Sequence, residues 1–200
     1  MADIVTKCAA QVAANIAMNC ANPITPGLEE IGLLFNRQDI IGYTESATEP
    51  RMKTAIQVRT GAKPYIIYNP FTTPFDGTMV DANLEGLIPG YNKTLVFGVP
   101  MIGAKVSHDI VEPLLKNRSG FVAIIERKNK QGDGTFVIIG SETGAKCTVQ
   151  TENFNDVATS GMTVCTLVEE KAQFKEVVLY DSDLTTTKTE FDRLYSLANV

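Results

Sequence analysis

The chain has 200 residues, of which 44% are hydrophobic, so it is long enough to bury one sizeable core. Its formal charge of −5 argues against a protein that grips the nucleic-acid backbone, because phosphate neutralisation needs clustered Lys and Arg. No run approaches the ~20 apolar residues of a membrane span, and the weak apolar start around Asp3 and Lys7 does not fit a signal peptide, so we expect a soluble, cytosolic product at synthesis.

The N-terminal residues differ in amino-acid composition from the rest of the chain. Residues 1–26 are expected to form an arm, and residues 27–200 a single domain, because no linker divides the remainder. Residues 1–21 are rich in alanine and predict a helix or an ordered arm. Two readings stay open, a fraying terminus and an arm docked on a neighbour. The prolines and glycine of residues 22–27 break any helix.

The next part of the chain predicts strands. Residues 28–41 read as a first strand that leads into a turn or short helical step near residues 37–40. Residues 54–60 alternate polar and apolar side chains, which is the period of a strand with one wet face. After a turn at Gly61, the sequence Tyr-Ile-Ile-Tyr at 65–68 is a strong strand signal.

Residues 69–94 form an unusual segment with three prolines and three glycines among several large apolar side chains. We interpret it as a contact loop or extended hairpin, because long loops in compact domains usually have a function. The alternative is an internal flap over the chain's own core. The residues predicted to contact other subunits, here and in the hairpin described below, are Phe71, Phe75, Met79, Leu84, Leu87, Ile88, Tyr91, Ile124 and Ile125.

A short amphipathic helix is predicted after strands at 94–99 and 101–106. Ser107 is a good N-cap, Asp109 lies in the first turn, and Pro113 implies a short or kinked helix. Residues 117–120 end it. Its apolar face is expected to comprise Ile110, Val111, Leu114 and Leu115.

A hairpin follows, with strands at 121–127 and 135–140. The first strand, 121–127, has an uninterrupted apolar run, which a strand with one solvent-exposed face would not have. We therefore expect the helix to cover one side of the hairpin and more protein to cover the other. The basic group at 127–130 fits a solvated tip. Further strands are predicted at 146–151, 163–170 and 174–180, a polar loop at 153–161 and a short helix within 185–197. The fold class is mainly β (α+β), a β-sandwich or barrel with one packed helix.

Few residues could carry chemistry. The four cysteines, Cys8, Cys20, Cys147 and Cys165, lack CxxC spacing and are read as reduced. His108 is the only histidine and is expected at the surface, so no metal site or cofactor is predicted.

Two acidic pairs could act as a carboxylate acid and base or bind a hard cation. They are Glu169 with Glu170 and Asp181 with Asp183. Adjacent acids on a strand point to opposite faces, so solvation is the better interpretation, and we do not predict an enzyme. An apolar loop, an alanine-rich arm and a two-sided apolar hairpin instead indicate a subunit whose sheet is completed by copies of itself.

The element order resembles that of structural proteins of tailed phages that infect Bacteroidetes, such as crAss-like phages, and among these the tail tube proteins. The resemblance covers residues 27–180 and rests on a strand at 27–40, a long loop, a strand at 91–97, a helix at 110–116 and a hairpin at 120–145.

The resemblance implies a β-sandwich with a flanking helix, assembled as hexameric rings that stack into a tail tube for DNA ejection. The chain would then belong to the virion tail, with copies of itself and other tail and neck proteins as partners. DNA would pass an acidic or neutral lumen without specific binding. Residues 69–94 and the arm are the expected ring-to-ring contacts. Alternatives are a terminator or neck ring of the same fold, a capsid decoration or binding module, and a carboxylate hydrolase.

Overall fold

The computed structural model describes residues 23–85, 89–100 and 103–198. Most of the predicted arm therefore lies outside the described residues. The larger of two sheets has the strand order β2-β3-β11-β8-β7-β1-β4, and only its β3–β11 pair is parallel. Its strands are β1 (Leu28–Asn36), β2 (Ile40–Glu45), β3 (Met52–Val58), β4 (Tyr65–Tyr68), β7 (Phe121–Arg127), β8 (Phe136–Ile139) and β11 (Val177–Leu179).

The smaller sheet has four antiparallel strands in the order β5-β6-β10-β9. They are β5 (Met79–Asn83), β6 (Gly90–Val99), β9 (Lys146–Glu152) and β10 (Thr163–Ala172). A single 3-10 turn, Arg37–Asp39, joins β1 to β2, as the sequence predicted. The structure is thus mainly β, which confirms the coarse fold class.

One core lies between the two sheets. Inward side chains of the smaller sheet, such as Leu95 and Leu167, pack against Ala123 and Ile125 of β7, and all four are at most 2% exposed. Period-two alternation explains this arrangement, since the intervening residues of β6 and β10 are more exposed.

A second core covers the other face of the larger sheet. The helix α2 (Leu184–Ala198) lies there, and the Phe191 and Phe136 ring centroids are 5.0 Å apart. Val122 and Ile124 of β7 point into this core with no exposure. The expectation that the β7–β8 hairpin is covered on both sides is confirmed, with α2 on one face and the smaller sheet together with the first helix on the other.

The first helix, α1, is continuous from residue 104 to residue 116 but has three parts. They are an α-helical turn at Ala104–Val106, a π-helical stretch at Ser107–Val111 and an α-helical part at Glu112–Lys116. The strand predicted at 101–106 is wrong where it is described, and Ser107 is not the N-cap. The helix instead starts after Gly103, whose φ of 123° suits glycine. Leu115, predicted on the apolar face, is 55% exposed.

The segment 69–94 divides into two structural parts. Its first part crosses between the sheets and places Phe75, 2% exposed, in the core between them. Asn69 anchors this crossing, because its Oδ1 accepts a hydrogen bond from Gly98 N at 3.0 Å. The second part is the β5–β6 hairpin. The two interpretations of this segment, an internal flap and an extended hairpin, each describe part of it. The segment is a flap as far as Phe75 and an extended hairpin after it.

Candidate functional site

The two sheets end on four strands that have no further strand beside them among the described residues. These are β2 and β4 in the larger sheet and β5 and β9 in the smaller one. Each exposes a large apolar side chain: Ile41 66%, Tyr65 57% and Tyr68 49%, Met79 50%, and Val149 47%. Open strands with exposed apolar side chains are templates for pairing with another chain. We call these four strands the edge surface.

Beside β4 lies an apolar groove of about 840 Å³. Its lining includes Tyr65 and Ile67 of β4 and Ile110 and Leu114 of α1. Phe97 and Val99 of β6 and Ala198 of α2 also line it, and Asp109 and Lys116 are charged lining residues.

The tip of the β5–β6 hairpin is a second exposed apolar feature. Leu84 is 76% exposed there, and the strand pair ends at Asn83 and Gly90. Leu87 and Ile88, both predicted contact residues, lie outside the described residues. Leu84 is therefore an apolar side chain beyond the last strand pair.

The predicted contact residues do not form one surface. Met79 and Leu84 are exposed, and Phe71 and Tyr91 are half-buried. Phe75, Ile124 and Ile125 are 2%, 0% and 2% exposed, so their side chains pack within one chain and are not available to a partner. This corrects the expectation for these three residues. The apolar run of β7 is explained by its central place in the sheet and the two cores it separates.

Sequence reasoning did not select the exposed side chains of β2, β4 and β9. Ile41 lies in β2, and the sequence pattern did not predict β2 as a strand separate from the turn before it. The run Tyr65–Tyr68 held a usable signal, because four large residues in succession on a short strand cannot all be buried unless both faces are covered. Only Ile67 of the four is buried.

A buried charged cluster lies where the two sheets meet. Glu169, predicted to be solvated, is 0% exposed, and Lys93 beside it is also 0% exposed. Lys93 Nζ lies 3.1 Å from Glu169 Oε2 and 3.2 Å from Glu142 Oε1. Glu170, the next residue, is exposed, so the two side chains point to opposite faces of the strand as predicted. The prediction that Glu169 is solvated was wrong.

The cluster binds the turn after β8. Glu169 Oε2 accepts a hydrogen bond from Gly140 N at 2.9 Å, and Glu169 Oε1 accepts from the backbone N–H groups of Glu142 and Thr143 at 2.9 and 3.1 Å. Three backbone donors and one ammonium satisfy the carboxylate, which is what a buried charge requires. Its role is therefore to hold this turn of the larger sheet against the smaller sheet.

The Asp183 carboxylate lies at the start of α2 and has a different structural role from that of Glu169. Its Oδ1 accepts a hydrogen bond from Thr186 N at 2.8 Å, at the start of α2. This backbone hydrogen bond from Thr186 lowers the pKa of the Asp183 carboxyl. Asp181 forms an isolated bridge with Asp183. Glu169 is thus in a buried ion pair and Asp183 caps α2, so the two carboxylates have different partners.

The remaining reactive groups are unremarkable in their surroundings. Burial raises the pKa of the Cys165 thiol to about 12 and also raises that of Cys147, so neither is a thiolate at neutral pH. The His108 side chain is 82% exposed, as expected. Within the described residues, no three His, Cys, Asp or Glu side chains are grouped so that they could hold a metal ion.

No helix in the described part of the chain has the length and apolar content needed to cross a membrane. Comparisons with protein-family models, curated proteins and solved structures found no match for this chain.

Proposed function

We propose that this chain is a structural subunit that associates with copies of itself into rings, stacked as the tail tube of a tailed phage. The observation that carries the proposal is the edge surface, because all four open strands present a large apolar side chain. A sandwich with open strands at every margin can gain pairing and apolar burial from a second copy. The tail-tube assignment itself comes from the resemblance described above.

The two open strands of the larger sheet suit a closed ring. β2 and β4 lie at opposite margins of one sheet, so β4 of one copy can pair with β2 of the next. Such a contact joins two different surfaces, and it makes a ring when the rotation closes. Six subunits is the number that the resemblance implies.

The charge of the chain agrees with a conduit for DNA. A formal charge of −5 leaves little to attract phosphate groups, so a genome would pass without being held. DNA is therefore a passing cargo in this proposal and not a ligand.

Charge substitutions on the open strands test the proposal. Ile41→Lys and Tyr68→Lys place a charge on each margin of the larger sheet, where a neighbouring strand would bury it. We expect sedimentation velocity to show assembly for the unmodified chain and a shift toward monomer for both variants. Val157→Lys is the matched control, because Val157 is 91% exposed in the loop before β10.

Electron micrographs of the purified chain then separate the related assemblies. Rings that lengthen into tubes as concentration rises support the tail tube, whereas rings that stay single support a terminator or neck protein. A monomer at every concentration would contradict self-assembly and favour a binding module.

A further inference from the structure

The apolar groove beside β4 could bind a polypeptide segment with small apolar side chains. Few polar atoms are present in its lining side chains, which include those of Tyr65 and Ile67 of β4 and Ile110 and Leu114 of α1. The Tyr65 side chain stands 57% exposed at the groove. Apolar surface of this extent in a soluble chain usually meets a partner.

The chain itself contains a segment of matching chemistry. Residues 1–22 carry only two charged side chains, Asp3 and Lys7, and are otherwise mostly alanine and other apolar residues. Small side chains let such a segment enter a narrow groove. Twenty-two residues reach about 33 Å even at the short rise of an α-helix.

This segment joins the domain at one end of the larger sheet. Pro23 O accepts a hydrogen bond from Gln131 Nε2 at 3.3 Å, and Gly27 O accepts one from Lys128 N at 3.0 Å. Both contacts place residues 23–27 at the tip of the β7–β8 hairpin. The groove begins near Tyr68, which pairs with Ile31 about 10 Å along β1 from Leu28, and it extends to Phe121, at the other end of β7, about 20 Å away.

We propose that residues 1–22 of one copy occupy the groove of a neighbouring copy. The inference rests on the proposed function, since it requires copies in contact. Within one molecule the segment would have to reverse at residues 23–27 and run back along the sandwich. Thr25 precedes a proline and is therefore extended, whereas Gly27 has φ +110°, a conformation that permits a turn, so the cross-linking experiment below decides between the two placements. The segment and the groove are different surfaces, so the contact can repeat from copy to copy around a ring, as the proposed function requires, or be exchanged between two copies as a swapped dimer. A cross-linked ladder that extends beyond the dimer distinguishes the first arrangement from the second.

Cross-linking with an added cysteine in the groove tests the proposal. The variant Tyr65→Cys is treated with a short bismaleimide, which can join it to the native Cys8 or Cys20 of the segment. We expect a ladder of covalent oligomers under denaturing conditions. The ladder should be lost when Cys8→Ser and Cys20→Ser are added, and it should be absent from Val157→Cys, whose site lies on the exposed loop.

The outcomes separate the two proposals. A monomeric species in which peptide mapping finds the cysteine introduced at position 65 joined to Cys8 or Cys20 would show that the segment fills its own groove and would overturn the inference. Assembly of the chain without any cross-link would overturn it too, while leaving the proposed function intact. A monomeric wild-type chain at every concentration would overturn both.

A second measurement does not depend on altering the groove. A synthetic peptide of residues 1–22 is added to the unmodified full chain, with a scrambled peptide as control. We expect the native peptide to reduce association at least severalfold in sedimentation velocity. Equal association with both peptides, in a preparation that assembles, would contradict the inference.

Discussion

Lys93 Nζ lies 3.1 Å from Glu169 Oε2; the two residues pair directly across β6 and β10, and both side chains are fully buried. A buried ion pair contributes little relative to an apolar pair of the same shape, but breaking it by removing one partner leaves an uncompensated charge. Here the carboxylate also holds three backbone N–H groups. The pair thus links the two sheets, and substitutions in it should change the free energy of unfolding.

Glu169→Gln should lower the free energy of unfolding by up to about 3–5 kcal/mol, because the amide NH₂ cannot accept the backbone hydrogen bonds that one carboxylate oxygen accepted and Lys93 keeps only Glu142 as an acidic partner. Urea unfolding measures the change. In a double-mutant cycle, Lys93→Met with Glu169→Gln should cost less than the sum of the two single changes. Additive costs would contradict a coupled pair.

The exposed pair Lys188–Asp192 on α2 is the matched control. Its Nζ and Oδ1 are 3.2 Å apart, close to the buried pair, but its side chains are 54% and 60% exposed. Lys188→Met and Asp192→Asn should each change stability by less than about 0.5 kcal/mol. The contrast compares a buried pair that also binds backbone N–H groups with an exposed pair that does not.

Gly140→Ala should be strongly destabilising. Gly140 has φ +90°, and an added Cβ would lie 2.1 Å from the backbone oxygen of Phe121. The backbone there cannot move without breaking the hydrogen bond from Gly140 N to Glu169. We expect a loss of at least about 3 kcal/mol in urea unfolding.

Gly61→Ala provides the comparison for Gly140. Gly61 has φ +82°, but a Cβ there meets no atom within 4 Å. Only the left-handed backbone conformation should matter, at about 1–2 kcal/mol. Equal losses for the two variants would show that the close approach to Phe121 is not the cause.

The local elements of this fold are readable in the sequence, and its long-range partnerships are not. The β7–β8 hairpin, the turn at Arg37–Asp39 and the helix near the last residues follow from periodicity and turn residues close in sequence. Glu169 was misjudged because its partner Lys93 and the donors at Gly140 come from distant parts of the chain. No local pattern encodes that meeting.

The start of α1 shows a second limit. Ser107 with Asp109 is a good capping pattern, yet Ser107 N donates to Gly103 O inside the helix. The helix instead begins at Ala104, about one turn before the predicted cap, because Gly103 and not Ser107 is the residue that leaves the helical conformation. Phe75 was misjudged for a related reason, since proline and glycine around it indicate a loop, whereas its ring fills the core between the sheets.

His108 should titrate above its ordinary pKa of 6.5. The hydrogen bond from its Nδ1 to Asp109 Oδ1, together with the charge of that carboxylate, stabilises the protonated imidazole and raises the pKa. Because this is the only histidine in the chain, its ring protons in an NMR titration give the midpoint directly. Asp109→Asn should move the midpoint back toward 6.5.

The sign of the accompanying stability effect follows from the raised pKa. The contribution is fully present below pH 6.5, the value in the unfolded chain, and is lost as pH rises through the higher folded value. It should be small, because the pair is exposed to solvent. A midpoint unchanged by Asp109→Asn would rule out Asp109 as the cause.

Shortening the β5–β6 hairpin tests whether its tip joins one ring to the next. Replacing residues 84–89 with Asn-Gly leaves Asn83 paired with Gly90, and a two-residue Asn-Gly turn suits that strand end. Phe75 and the crossing segment stay intact, so the core is preserved, which a deletion of the whole segment would not achieve. We expect electron micrographs to show rings but few or no tubes.

A same-length variant, with Leu84, Leu87 and Ile88 changed to Ser, separates the apolar character of the tip from its reach. If apolar contact joins the rings, this variant should also lose tubes while unfolding at the same urea concentration as the unmodified chain. Tubes of normal length from both variants would place the stacking contact elsewhere, on the edge surface or on residues 1–22. Loss of rings as well would mean that the tip contributes to the contacts within a ring.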